Sequence, residues 1–154
     1  MASYVIALDL GTTGNRAIVF DTAANIVGQA YEELTQHYPN PGWVEHDPLE
    51  IWQAVQTTLK QAVASAGVAA SDVVAMGLTV QRETCLLWDK ETGHPLHNAI
   101  VWQDRRTAKL CEQLADHRSD IYERTGLFLD AYFSATKLRW LLDKLNPSNL
   151  DRVM

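Results

Sequence analysis

Apolar residues in the first thirty positions come in short runs broken by turn chemistry, and that pattern predicts strands. Val5 to Leu10 is β-branched and aliphatic and stops at Gly11. Arg16 to Phe20 is a second run ending at Asp21, and a third begins at Ile26 and extends towards Glu32. Three strands this close can be joined only by tight turns, so they predict an antiparallel meander or successive hairpins. The polar stretch from Thr35 to His46, with Pro39, Pro41 and Gly42, reads as a long loop. The period then changes. Asp47 suits an N-cap, Pro48 the first helical position and Glu50 a D-x-x-E variant of the capping box. Ile51, Val55, Leu59, Ala62, Val63 and Ala66 follow at helical spacing, and Gly67 stands where a C-terminal cap belongs.

Beyond this helix, Val73 to Val80 reads as a buried strand, Thr84 to Trp88 as another, and Lys90-Glu91-Thr92-Gly93 as the turn that follows. A strand that returns after a helical crossover pairs in parallel with the sheet it left. The fold class is therefore α/β: a mixed sheet with helices packed on it. Ala99-Ile100-Val101 predicts a further short strand and Asp104 to Ala115 a helix. Ser134 to Leu145 predicts a last helix, which Asn146-Pro147 must end.

The chain has 154 residues, the length of one domain or of a piece of a larger protein. With 47% hydrophobic and 21% charged residues it is neither disordered nor low in complexity. Thirteen basic against nineteen acidic residues give a net charge of −6, the wrong sign for nucleic acid or an anionic membrane held by bulk electrostatics. No nucleic-acid partner is expected. The start of the chain has no basic leader and too short an apolar run for a membrane span, so a cytoplasmic location is expected. Cys85 and Cys111 are too far apart for a CxxC motif and read as reduced thiols, and the five histidines show no ligand spacing. Trp43, Trp52, Trp88 and Trp140 read as core residues.

Three segments carry candidate chemistry. In Leu8-Asp9-Leu10-Gly11-Thr12-Thr13-Gly14-Asn15-Arg16, glycines let the backbone approach an anion, successive N–H groups form a concavity, and threonines add donors. Asp9 offers a hard oxygen to Mg²⁺ and Arg16 a guanidinium to a phosphate. The same residues suit a plain hairpin turn, which spacing alone favours. Gln81-Arg82-Glu83-Thr84 directly follows a strand, the end at which α/β sheets bind ligands, and pairs donors with an acceptor as a polyhydroxylated molecule requires. A solvated loop with an exposed ion pair is the plain alternative. Trp102 arrives at a helix start after Ala99-Ile100-Val101, where an indole can cover the carbons of a polyol or simply fill the core. Tyr132 and Phe133 are ambiguous in the same way.

Taken in order, ALDLGTTGNRAIVFD, YPNPGWVEHDPLEIW, GLTVQRET, KETGHPLHNAIVWQDRRT and TGLFLDAYFSATKLRWLLD resemble the FGGY family of carbohydrate kinases over nearly the whole chain. Within that family the likeness is to the branch that phosphorylates glycerol. It implies an actin/Hsp70-like (ribonuclease H-like) ATPase fold, with ATP and Mg²⁺ as cofactors and glycerol 3-phosphate and ADP as products. Carried over by position, Thr12, Thr13, Gly14 and Arg16 are similar to the nucleotide-phosphate contacts, with Asp9 near the metal. Arg82, Glu83, Trp102 and Tyr132 are similar to the glycerol contacts. Xylulose-phosphorylating members usually carry Met-His where Arg82-Glu83 stand. Leu10 replaces a frequent Gln and Gly14-Asn15 a frequent Ser-Ser, so a hydroxyl contact is lost at Gly14 while its N–H remains.

The resemblance further implies that residues 1–154 are the N-terminal part of the family's first domain, without the second, nucleotide-closing domain. The catalytic base would lie outside this segment, so no catalytic residue is assigned and the segment alone is expected to be inactive. A homo-oligomer of the full-length form stays open. Two alternatives remain: a kinase for another polyol or ketose, and a nonenzymatic module that keeps the sugar-kinase fold.

Overall fold

Alternating burial along the first three strands shows one face turned to a core. In the computed structural model, which describes residues 3–146, 148 and 150–154, β1 (Tyr4–Leu10), β2 (Gly14–Phe20) and β3 (Ile26–Glu33) form the expected antiparallel meander. Helix α1 (Pro48–Ala66) follows, and β5 (Val73–Thr79) returns to pair in parallel with β1, giving the sheet order β3-β2-β1-β5. Pro48 opens α1 as predicted, and Gly67 ends it in the left-handed region at φ 65°. Glu50 Oε1 accepts the N–H of Thr35 at 2.9 Å. This first compact unit comprises residues 1–35 and 49–81.

Its core is Ile6, Leu8, Ala17 and Val19 from the sheet against Val55 and Ala62 of α1. The helix can lie this close because Gly28 has no side chain. A Cβ there would stand within 2.6 Å of Ala66 N, Ala62 O and Ala66 Cβ. Asn15, fully buried on β2, donates from Nδ2 to the carbonyl of Ile51 at 3.2 Å and ties the sheet to the first turns of α1; its Oδ1 has no hydrogen-bond partner.

Two readings of this unit are corrected. β5 is a strand but not a buried one, with Val74 66% and Leu78 61% exposed and Met76 and Val80 exposed as well. Met76 and Leu78 pair with Ile6 and Leu8, the core-facing positions of β1. A single helix about 10 Å wide cannot cover four strands spaced about 4.8 Å apart, and α1 lies towards the β3 edge, on Gly28, which leaves β5 at the opposite edge bare. Trp52 is 62% exposed on α1, so it is not a core residue.

The second unit comprises residues 36–48 and 82–154. Here β4 (Glu45–His46) pairs antiparallel with β6 (Ala99–Ile100), so the predicted loop from Thr35 to His46 ends in a short strand. Thr84 to Trp88 is not a continuous strand. Cys85 bridges Ile100, and Trp88 bridges Pro95 and exchanges backbone hydrogen bonds with Met154, so its pairing is divided among separate partners. Asp89 closes the predicted turn by accepting from the N–H groups of Glu91 and Thr92.

The helix expected from Asp104 is only α2 (Ala108–Gln113). Asp104 is fully buried, and its carboxylate takes the N–H of Arg106 at 2.8 Å, a local i to i+2 bond that competes with helix formation. Helix α3 (Arg118–Thr125), not predicted, buries no residue and has no apolar stripe to betray it. Helix α4 (Ser134–Leu145) has the predicted bounds and stops at Asn146, φ 40°; Pro147 lies outside the described residues. The apolar core is Cys85, Leu87, Ile100 and Leu141, and both cysteines are free and buried. Among the described residues no helix is long and apolar enough to cross a membrane.

Two predictions follow from the first unit. Gly28→Ala overpacks the sheet–helix contact and lowers stability by about 1–3 kcal/mol, read as a fall in urea midpoint. Gly77→Ala meets no atom within 4 Å and leaves the midpoint nearly unchanged. The uncovered β5 makes the chain self-associate at high concentration, and Val74→Lys with Leu78→Lys suppresses this in sedimentation velocity.

Candidate nucleotide-phosphate and polyol sites

The β1–β2 turn is closed by Gly11 N–H donating to the carbonyl of Gly14 at 3.1 Å. It is held from two further sides within its unit. Leu34 N–H donates to the carbonyl of Thr13 at 3.0 Å, and Gln81 Nε2, just past β5, donates to the carbonyl of Gly11 at 2.9 Å. Gly14 is buried, and a Cβ there would strike the Tyr31 hydroxyl and the Glu32 carbonyl. Only glycine fits while β3 stays this close.

Asp9 and Arg16 are register partners across β1 and β2, and both are exposed. The Arg16 guanidinium stands over the ring of its β3 partner Tyr31, 5.3 Å from the centroid, while the Asp9 carboxylate accepts no hydrogen bond among the described residues. Asp9, Thr12, Thr13, Gly14 and Arg16 thus gather at one end of the first unit's sheet.

In the second unit, Glu83, Trp102 and Tyr132 come together. Trp102 and Tyr132 meet edge to face at 5.8 Å between centroids, and Tyr132 meets Phe133 at 5.0 Å. The Trp102 N–H donates to Thr84 Oγ1 at 3.1 Å. Glu83 Oε2 accepts from both the N–H and the hydroxyl of Ser134, at 2.8 and 2.7 Å, whereas Oε1 accepts nothing among the described residues. Arg82 is exposed, with no hydrogen bond or ion pair among the described residues. Glu83 has φ 67°, a left-handed conformation that costs a side-chain-bearing residue about 1–2 kcal/mol.

Sequence reasoning missed the residues that support these groups. Lys137 is fully buried and donates to the carbonyls of Glu83 at 2.8 Å and Tyr132 at 2.6 Å. Burial pushes its ammonium below the ordinary lysine value, with Cys85, Glu83, Asp104 and Asp130 opposing. The available signal was phase, since Lys137 lies one turn before Leu141 on the buried stripe of α4. Asp130 accepts the N–H of Tyr132 at 2.7 Å, and a 2.6 Å bond from Arg105 holds its carboxyl below the usual carboxylate range.

Residues 4–153 match the FGGY family of carbohydrate kinases, N-terminal domain. The chain belongs to that family. It is 63% identical to the glycerol kinase of Trichormus variabilis over 99% of its own length and 31% of the relative's, and 63% identical to that of Synechocystis over 96% and 31%. It therefore spans about a third of the curated relatives it matches.

Among solved structures, Plasmodium falciparum glycerol kinase with ADP superposes with a TM-score of 0.88 at 29% identity, over 99% of this chain and 32% of that one. A xylulose kinase from Brucella ovis gives 0.83 at 33% identity, over 91% and 28%. This FGGY chain has the mixed α/β, actin/Hsp70-like fold of the sugar kinases, covering part of a domain.

Next to the Glu83, Trp102 and Tyr132 cluster, burial raises the Cys85 thiol to about 11. It stays protonated at pH 8, and the reactive species is the thiolate. Iodoacetamide is expected to leave Cys85 unmodified in the native chain and to alkylate it in 6 M urea, as read by mass spectrometry.

Proposed function

We propose that residues 1–154 supply the N-terminal part of the first domain of an ATP-dependent glycerol kinase. Such a protein transfers the γ-phosphoryl group of ATP to a terminal hydroxyl of glycerol, giving glycerol 3-phosphate and ADP. The observation that carries this reading is the gathering of Glu83, Trp102 and Tyr132 beside Arg82, the pair and aromatics a small polyol needs. The 63% identity to chains named glycerol kinase supports the same substrate.

In this reading Glu83 Oε1 accepts from one glycerol hydroxyl, and Arg82 donates to vicinal oxygens. The Trp102 indole covers the carbon side, and Tyr132 adds its hydroxyl at the rim. Thr12, Thr13 and the Gly14 N–H contact the nucleotide phosphates, and Arg16 brings the positive charge.

The residues at the end of β1 also suit a magnesium ion. Asp9 presents an exposed hard-oxygen ligand with no competing hydrogen bond among the described residues, next to a turn suited to phosphate. When bound, Mg²⁺ neutralises phosphate charge; Asp9 would hold it directly or through water.

The chemical step forms a bond from the acceptor hydroxyl oxygen to the γ-phosphorus as the bond to the β,γ-bridging oxygen breaks. The hydroxyl proton passes to a base that the family resemblance assigns outside residues 1–154, so this segment contributes binding and orientation.

Calorimetry tests the assignment. The wild-type chain is expected to bind glycerol, and Arg82→Ala to weaken binding about 10- to 100-fold, the worth of a charged hydrogen bond at about 1.5–3 kcal/mol. Binding of xylulose in place of glycerol would move the substrate within the family, and indifference to both would sink the polyol reading.

A further inference from the structure

A fully buried ammonium is costly, and Lys137 has essentially no exposure. Its two hydrogen-bond acceptors are both main-chain carbonyls, and both belong to residues of the polyol cluster, Glu83 at 2.8 Å and Tyr132 at 2.6 Å. Neither bond lies within α4 itself. One links the helix to a loop 54 residues earlier, the other to the segment leading into the helix.

The Glu83 end is the unusual one. Its backbone is left-handed at φ 67°, where glycine or asparagine is favoured, yet the position carries a carboxylate. Strained positions of this kind persist only when their surroundings over-determine them. Three donors do so here: Lys137 Nζ on the carbonyl, and the N–H and hydroxyl of Ser134 on Oε2. All three come from the first two turns of α4.

We propose that Lys137 is the positioning residue of the polyol cluster, a buried clamp that cross-links the main chain of Glu83 to that of Tyr132 and so fixes the spacing between the carboxylate and the aromatic wall. The assignment rests on reading the cluster as a glycerol subsite. Lys137 touches no substrate atom in this scheme. It sets where Glu83 Oε1 points by locking the backbone behind it, and it holds Tyr132 against Trp102.

The test compares Lys137→Met, which keeps the stem but removes the donors, with Leu141→Ala, which cuts the core on the same helix without touching either carbonyl. Two readouts are taken on the whole chain at a temperature where each variant is folded. The first is hydrogen exchange of the Ser134 amide, the donor to Glu83 Oε2, relative to amides in the middle of α4. The second is glycerol affinity by calorimetry.

Lys137→Met is expected to speed Ser134 exchange at least tenfold over the mid-helix amides and to weaken glycerol at least tenfold. Leu141→Ala is expected to speed all α4 amides together and to change glycerol affinity less than threefold. If Lys137→Met does not fold, Lys137→Gln, neutral but still a donor, enters the same comparison and is expected to fall between wild type and complete loss of the clamp.

Ser134 exchange and glycerol affinity unchanged in the lysine variant, or matched by Leu141→Ala, would overturn the clamp while leaving the glycerol reading intact. Selective loss of Ser134 protection in the lysine variant, with a wild-type chain that ignores glycerol, would keep the clamp and discard the glycerol reading.

Discussion

The parallel pairing of β5 with β1 is the constraint on which the first unit's site depends. In a parallel pair both strands end at the same edge, so the register Asp9↔Thr79 delivers the residues after β5 beside the residues after β1. That is why Gln81 can reach the carbonyl of Gly11, 70 positions away, and brace the turn that the β1–β2 hairpin alone would leave hinged on one side. The helical crossover that makes the pairing parallel is in turn permitted by Gly28, whose missing side chain lets α1 lie on the sheet. A turn suited to an anion thus depends on a glycine at the far side of the sheet.

The second unit has a small apolar core and is organised instead by buried charge. Arg106, its side chain fully buried, bonds to Glu45 and Asp104 at 2.8 Å each. Its guanidinium lies over Trp43 at 3.9 Å and over Trp140 at 4.6 Å. Asp104 spends its remaining capacity on the N–H of Val44, and Glu45 on Asn98. Removing one partner of a buried ion group of this kind strands the other charge in a low-dielectric interior, so its members hold one another in place as a set. Lys137 follows the same logic with carbonyls as partners. The cluster of Glu83, Trp102 and Tyr132 is therefore held by directional bonds that fix the spacing of its polar groups.

Local periodicity made most of the first unit legible. The three opening strands, α1 and its glycine stop, and the parallel return all follow from apolar spacing and turn residues. Where that reasoning failed, it failed for physical reasons. Val73 to Val80 has the composition of a strand covered on both faces, but composition reports what a strand tolerates, and coverage is supplied by other elements; here α1 lies against β3, β2 and β1 and leaves most of β5 bare. The helix expected from Asp104 lost its first turn to a carboxylate that accepts from the N–H groups of Arg106 and Val44 and from the Arg106 guanidinium. Helix α3 has no hydrophobic period to read.

The site was legible in a different way. Glu83, Trp102 and Tyr132 belong to family-like strings, so residue type and order pointed to them, and the structure brings these three side chains into one cluster. Their supports are not in those strings as supports. Ser134 reads as a helix start and Lys137 as one more charged residue on an amphipathic helix, because the bonds that give them meaning span 51 and 54 positions. Contacts of that separation are closed by the whole fold and leave no local period. A lysine in phase with Leu141 is the exception, since a charge on a buried stripe is affordable only with partners waiting for it. Such a misplaced charge marks the positions where a sequence has traded packing for geometry.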